Sequence, residues 1–207
     1  MNTGQKAKEI VEKFEIFSHG VRVCMLIDRG QMNSNKGSRR WVSKLISADK
    51  EQLEANIIKL LSQQEYLANP DIRLYMCVNA RNMDKAIKHF QHAQLNLDQE
   101  YKYKFYARIQ DSFCSSLMKP ENRAESLFLI DYDHPEFTWK LSSFGIKEVF
   151  RYKTPGGWHI ITEPFNPKLF GVDSDTVKKD ALLLLNFSES TGAKSVQPSA
   201  ENGELNA

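Results

Sequence analysis

The stretch Ser126-Leu127-Phe128-Leu129-Ile130-Asp131-Tyr132-Asp133-His134 constrains the fold more than any other. Its four consecutive apolar residues drive a central strand, and two aspartates follow, two apart, at its end. Strand alternation puts Asp131 and Asp133 on one face, their α-carbons about 6–7 Å apart. Two ionised carboxylates that close repel, and a core strand does not retain them without compensation. A hard divalent cation, Mg2+ or Mn2+, removes the repulsion and takes the oxygens as ligands. The alternative is a strand running out into solvent, where both acids are simply hydrated.

The rest of the chain makes a globular setting for such a strand. Its 207 residues suit one domain of ordinary size, and 12 Phe, 7 Tyr and 3 Trp are ample for a core, which excludes global disorder. The richest apolar run, Ala181 to Leu185, is far too short to span a membrane, and Met1 to Phe17 lacks an apolar signal core. No membrane association and a cytoplasmic location are therefore expected. Cys24, Cys77 and Cys114 are odd in number, widely spaced and without a CxxC, so neither a disulfide framework nor a zinc site is indicated. The net charge of +2 argues against a purely electrostatic nucleic-acid coat. The first 187 residues hold 27 Lys+Arg against 23 Asp+Glu, an excess that neither demands nor excludes a polyanionic partner.

Periodicity divides the chain into alternating helices and strands without an internal repeat. Met1 to Phe17 reads as a helix, Val21 to Ile27 as a strand, Asp28 to Ser38 as a polar loop, and Arg39 to Ile46 as a second strand. Asp49 caps a helix with Gln52 as its capping-box partner. A strand over Ile72 to Val78 and a helix over Asn82 to Ala93 follow. Asp98 can cap a further helix whose Tyr101, Phe105, Ile109, Phe113 and Leu117 recur every four residues and read as one core stripe. Leu127 to Asp133 is the next strand, and Pro135 suits the first turn of a short helix ending near Gly145. Lys147 to Lys153 and Trp158 to Thr162 form a hairpin-like pair around Thr154-Pro155-Gly156-Gly157. Asp180 to Phe187 is either a strand or a short helix. The sum is an α+β fold, a mixed sheet with flanking helices, as a single domain over 1–187 with a disordered tail over 188–207.

A second feature bears on the aspartates. In Tyr152-Lys153-Thr154-Pro155-Gly156-Gly157-Trp158-His159-Ile160-Ile161-Thr162, a glycine turn feeds a strand with a histidine near its start. Glycines let the backbone approach a phosphate, and Lys153 or Arg151 could neutralise it. His159 on a strand paired near the acidic one could touch a triphosphate, although a lone strand histidine is more often a satisfied structural residue. Arg39-Arg40-Trp41 joins charge to an aromatic ring and could grip phosphate and stack on a base, or be a surface pair beside an anchoring Trp.

These residues resemble the archaeo-eukaryotic primase superfamily of small primase subunits and primase-polymerases. Leu129-Ile130-Asp131-Tyr132-Asp133 matches its first motif and Gly157-Trp158-His159 its second. The resemblance implies a primase-polymerase-like catalytic core including an RRM-like unit, acting in nucleic-acid synthesis such as DNA replication. It implies a metal-dependent nucleotidyltransferase that uses nucleoside triphosphates on DNA or RNA. Asp131 and Asp133 would hold Mg2+ or Mn2+, and Asp131, Asp133 and His159 would be catalytic. Lys153, Gly156, Gly157 and His159 would bind the nucleotide, and Arg39 and Arg40 the nucleic acid. A third motif, an apolar residue followed by an acid on a later strand, completes the family's metal site. Here Leu182 to Leu185 ends in Asn186, leaving Asp173 and Asp180 as candidates. That departure motivates the alternative: a catalytically degenerate primase-fold protein binding nucleotide, single-stranded nucleic acid or a protein partner in replication, repair or phage–host conflict.

Overall fold

The computed structural model describes residues 11–12, 20–29, 40–67, 69, 71–169 and 176–185. The expected helix over 1–17, apart from Val11 and Glu12, lies outside the described residues. So do Arg39, the Arg40 side chain, Asp173, and the tail from 188.

Eight described strands form two four-stranded sheets instead of one mixed sheet, and every pairing is antiparallel. The first sheet has β1 (Arg22–Asp28), β2 (Arg40–Ser47), β3 (Ile72–Cys77) and β8 (Leu182–Leu184), in the order β2-β1-β3-β8. The second has β4 (Phe128–Tyr132), β5 (Glu148–Lys153), β6 (Trp158–Thr162) and β7 (Val177–Lys178), in the order β5-β6-β4-β7. The late apolar segment is thus a strand, and it returns to the first sheet.

The four described helices are α1 (Lys50–Leu67), α2 (Met83–Leu95), α3 (Gln99–Ala107) and α4 (Ile109–Leu117). The start of α1 follows its sequence signature. Gln52 N donates to Asp49 Oδ1 at 2.7 Å, and Gln52 Oε1 accepts from Ala48 N at 2.7 Å. Asn82 caps α2 by accepting from Lys85 N at 2.9 Å. The single helix expected after Asp98 is broken at Arg108 (φ −126°, ψ 37°), so its stripe does not run through. Phe105 and Phe113 pack on Phe90, and Leu117 is buried, but Tyr101 and Ile109 face solvent. Pro135 lies in irregular chain, and a 3-10 turn over Leu141–Phe144 ends at Gly145 with φ 66°, the left-handed conformation that favours glycine.

Alternation sorts the strand residues into three buried layers. Cys24, Leu26, Leu74 and Met76 pack with Leu53, Ile57 and Leu60 of α1 and with Leu129, Tyr152 and Ile161 of the second sheet. The other face of the first sheet meets Ala86 of α2 and Leu117 of α4. The outer face of the second sheet, Phe128, Ile130, Ile160 and Val177, is covered by Leu141, Ile146 and a group of aromatic side chains. Cys24 and Cys77 are buried free thiols in these layers, as their apolar neighbours imply.

Candidate functional site

Asp131 and His159 face each other across the β4–β6 ladder, where the register pairs them directly. Both point to the side of the second sheet that packs toward the first. His159 Nε2 lies 3.1 Å from Asp131 Oδ1. The ring's other nitrogen, Nδ1, is 2.7 Å from Tyr152 Oη on β5, and Tyr152 donates at 2.8 Å to the carbonyl of Leu184 on β8. This chain of contacts runs from the acid strand through three strands of one sheet to the edge strand of the other. A carbonyl and a carboxylate accept only, and the phenol has one hydrogen. All three contacts are therefore satisfied together when both ring nitrogens of His159 carry hydrogen.

Asp131's second oxygen is also engaged. Lys178 on β7 forms an ion pair with Asp131 Oδ2. The hydrogen bond from His159 is the main cause holding the Asp131 carboxyl well below the usual carboxylate range, against the burial that would raise it, and Lys178 adds to the lowering. Burial pushes the Tyr152 hydroxyl well up, so it stays a phenol and a donor.

The remaining expected site residues are distributed differently. β4 ends at Tyr132, so Asp133 stands outside the ladder and is exposed. On β5, Lys153 follows Tyr152 and alternates to the face of Arg151, whose guanidinium lies 5.2 Å from the Phe137 ring on the outer side of the sheet. Lys153 is thus not brought to His159, and Arg151 is paired with Glu148. Gly157 has its N–H engaged within the turn, donating to Thr154 O at 3.3 Å and Thr154 Oγ1 at 3.1 Å. Its lack of a side chain answers a close approach within the fold, since a Cβ there would fall 1.9 Å from Tyr132 O. Gly156 is exposed and faces Asp133 Oδ1. Asp180, a candidate third acid, binds Arg81 through both oxygens at 2.6 and 3.1 Å and is committed to that buried guanidinium. Beside Arg40, Trp41 is no core anchor but 43% exposed, with Lys44 Nζ 4.9 Å from its ring centroid.

Tyr152 and Lys178 are the two site residues that sequence reasoning missed. Tyr152 had a signal, because alternation along β5 places it opposite His159. Val177-Lys178 had none, being a two-residue strand.

The metal implied by the primase resemblance can be tested against this donor set. Mg2+ and Mn2+ need carboxylate oxygens free to coordinate. Asp131 already gives one oxygen to His159 and the other to an ammonium, so its charge is compensated by the chain itself. The residues as arranged do not fit a metal centre unless Lys178 leaves Asp131. Compared with protein-family models, curated proteins and solved structures, the chain finds no match.

Proposed function

We propose that the chain is a catalytically degenerate primase-fold protein that binds nucleotide or single-stranded nucleic acid without polymerising nucleotides. Three features of the second sheet support the resemblance. In chain order its strands lie fourth-first-third-second, the order of an RRM-like unit, and the described residues of the two longer connections hold short 3-10 turns. Asp131 of the aspartate motif is on the first of these strands, with Asp133 just beyond its end, and Gly157-Trp158-His159 leads into the third. Val177-Lys178, on the fourth, has the apolar residue of the third motif, followed by a base where the family has an acid.

The observation that carries the proposal is the ion pair of Lys178 with Asp131. An ammonium on this carboxylate does electrostatically what a metal does in the family, and it supplies no Lewis acid and no activated hydroxyl. Phosphoryl transfer relies on metal ions to neutralise the charge developing on the phosphates, so the exchange favours binding over turnover. The nucleotidyltransferase reading has one observation on its side: the Lys178 side chain is 48% exposed, free to swing away when a metal–nucleotide complex arrives.

The deciding experiment incubates wild type and Lys178→Asp with Mn2+, labelled nucleoside triphosphates and a primer-template. Wild type should bind labelled nucleotide or strand, extend nothing and show no Mn2+-dependent rise in Tm. Lys178→Asp, which restores an acid after Val177, should gain such a rise, about 2.7 kcal/mol of stabilisation at 100 times the dissociation constant. Primer extension by the wild type would overturn the proposal in favour of the metal-dependent enzyme.

A further inference from the structure

Helix α3 has a surface that the core does not use. Ordinary helices of globular proteins bury one apolar stripe, yet none of its residues, Gln99–Ala107, is buried. Its side chains are not those of an ordinary solvated face either. From Tyr101 the sequence runs Tyr-Lys-Tyr-Lys-Phe-Tyr-Ala-Arg to Arg108, with three cations, four aromatic rings and no acid. Phe105 alone turns inward and anchors the helix, stacked on Phe90 of α2 at 5.1 Å between ring centroids. The three tyrosines stay out: Tyr101 is 52% exposed, Tyr106 53% and Tyr103 82%. Lys104 Nζ lies 5.6 Å from the Tyr101 ring centroid, so positive charge is held against an open aromatic face.

We infer that α3 is the contact surface for single-stranded nucleic acid. Unpaired bases expose π-faces that stack on aromatic rings whatever their sequence, while the backbone brings a regular row of negative charge. Tyr103 and Tyr106, about 60° apart around the helix, offer the outward rings, with Tyr101 on its other side; Lys102, Lys104 and Arg108 offer the counter-charge, against one acid of the helix, Glu100. The fit is with a strand and not with a duplex, whose bases turn only their edges outward. This inference rests on the binding reading proposed above and names the helix that would do the binding. It requires nothing of Asp131, His159 or Lys178.

The test measures binding of fluorescent oligodeoxythymidine and oligouridine to the full chain by anisotropy over a salt series. Tyr103→Ala should weaken binding about 5- to 100-fold. Lys102→Gln with Lys104→Gln should reduce the slope of log affinity against log salt by about 1.4. Lys50→Gln with Lys59→Gln, removing the same charge from exposed positions on α1, should leave the affinity within about twofold. All the substituted side chains are exposed, and unchanged far-UV circular dichroism melts would verify the fold. Wild-type affinity in the α3 variants, with the wild type itself binding, would overturn the inference while leaving the binding reading standing. No binding of either oligonucleotide by the wild type would overturn the inference, and nucleotide binding measured on the same sample would then decide the reading beneath it. Capture of phosphatidylserine vesicles or of a poly-glutamate peptide in place of the oligonucleotides would also overturn it.

Discussion

The hydrogen bond from His159 does most to keep Asp131 ionised, because desolvation pushes that carboxyl up and this bond, joined by the Lys178 contact, overcomes it. The consequence for stability has a definite sign. A carboxyl depressed in the folded chain contributes stability that is fully present above its unfolded value, 3.8, and is lost as the pH falls through the depressed folded value. At about pH 5 the unfolding free energy of wild type should therefore exceed that of Asp131→Asn. Below the unfolded value the difference should narrow steadily as acid is added. Urea titrations of the two proteins at several pH values check this, and a gap that stays flat into strong acid would mean that neither the His159 nor the Lys178 contact forms in solution. At this scale the sequence was informative about half of the site. Asp131 and His159 could be read from their motifs and do lie opposite each other. Lys178 could not, since a base following a valine shows nothing until the chain folds it onto β4.

The turn between β5 and β6 sets the register that brings His159 to Asp131. Thr154 and Gly157 exchange two backbone hydrogen bonds at 2.8 and 3.3 Å, closing the hairpin so that Tyr152 pairs with His159 and Lys153 with Trp158. The two glycines of this turn have different tasks. A methyl group on Gly157 would collide with the backbone of Tyr132 and His134, at 1.9 and 2.6 Å. The end of β4 must then shift, and Gly157→Ala should cost about 1–3 kcal/mol by thermal or chemical unfolding. Gly156→Ala meets only the Asp133 carboxylate, at 3.4 Å, and should fall within about 0.5 kcal/mol of wild type. Equal effects of the two changes would sink this account of the turn. Strand and helix positions were legible wherever an element was long enough to show its period, as for β1, α1, β3 and β4. The helical repeat after Asp98 misled, because residues four apart keep their spacing across a break. Only the backbone at Arg108 reveals that Tyr101 and Ile109 leave the stripe that Phe113 and Leu117 keep.

The two sheets become one molecule through polar clamps as well as through the shared apolar layer. Tyr152 reaches from β5 to the Leu184 carbonyl on β8. The Asn79 amide, just beyond β3, donates to the carbonyls of Leu127 and Lys179, both at 3.1 Å, and its oxygen accepts from Leu127 N. Arg81 is 1% exposed and carries a charge that burial would forbid without Asp180, which sits between β7 and β8. No local pattern announces such a pair, because its members are 99 residues apart. Sequence reasoning placed Asp180 among candidate metal ligands, and the structure gives it a different task with a different consequence. Asp180→Ala strands a buried guanidinium whose other contacts are carbonyls at 3.4 Å, so it should lose about 3–5 kcal/mol of unfolding free energy. Asp133→Ala, at an exposed acid, should change stability by no more than about 0.5 kcal/mol. A metal-ligand role for Asp180 makes the opposite forecast: its removal would relieve repulsion among acids and abolish a Mn2+-dependent rise in Tm while leaving the metal-free protein as stable as before. Measuring both variants by urea unfolding, with and without Mn2+, separates the clamp from the ligand.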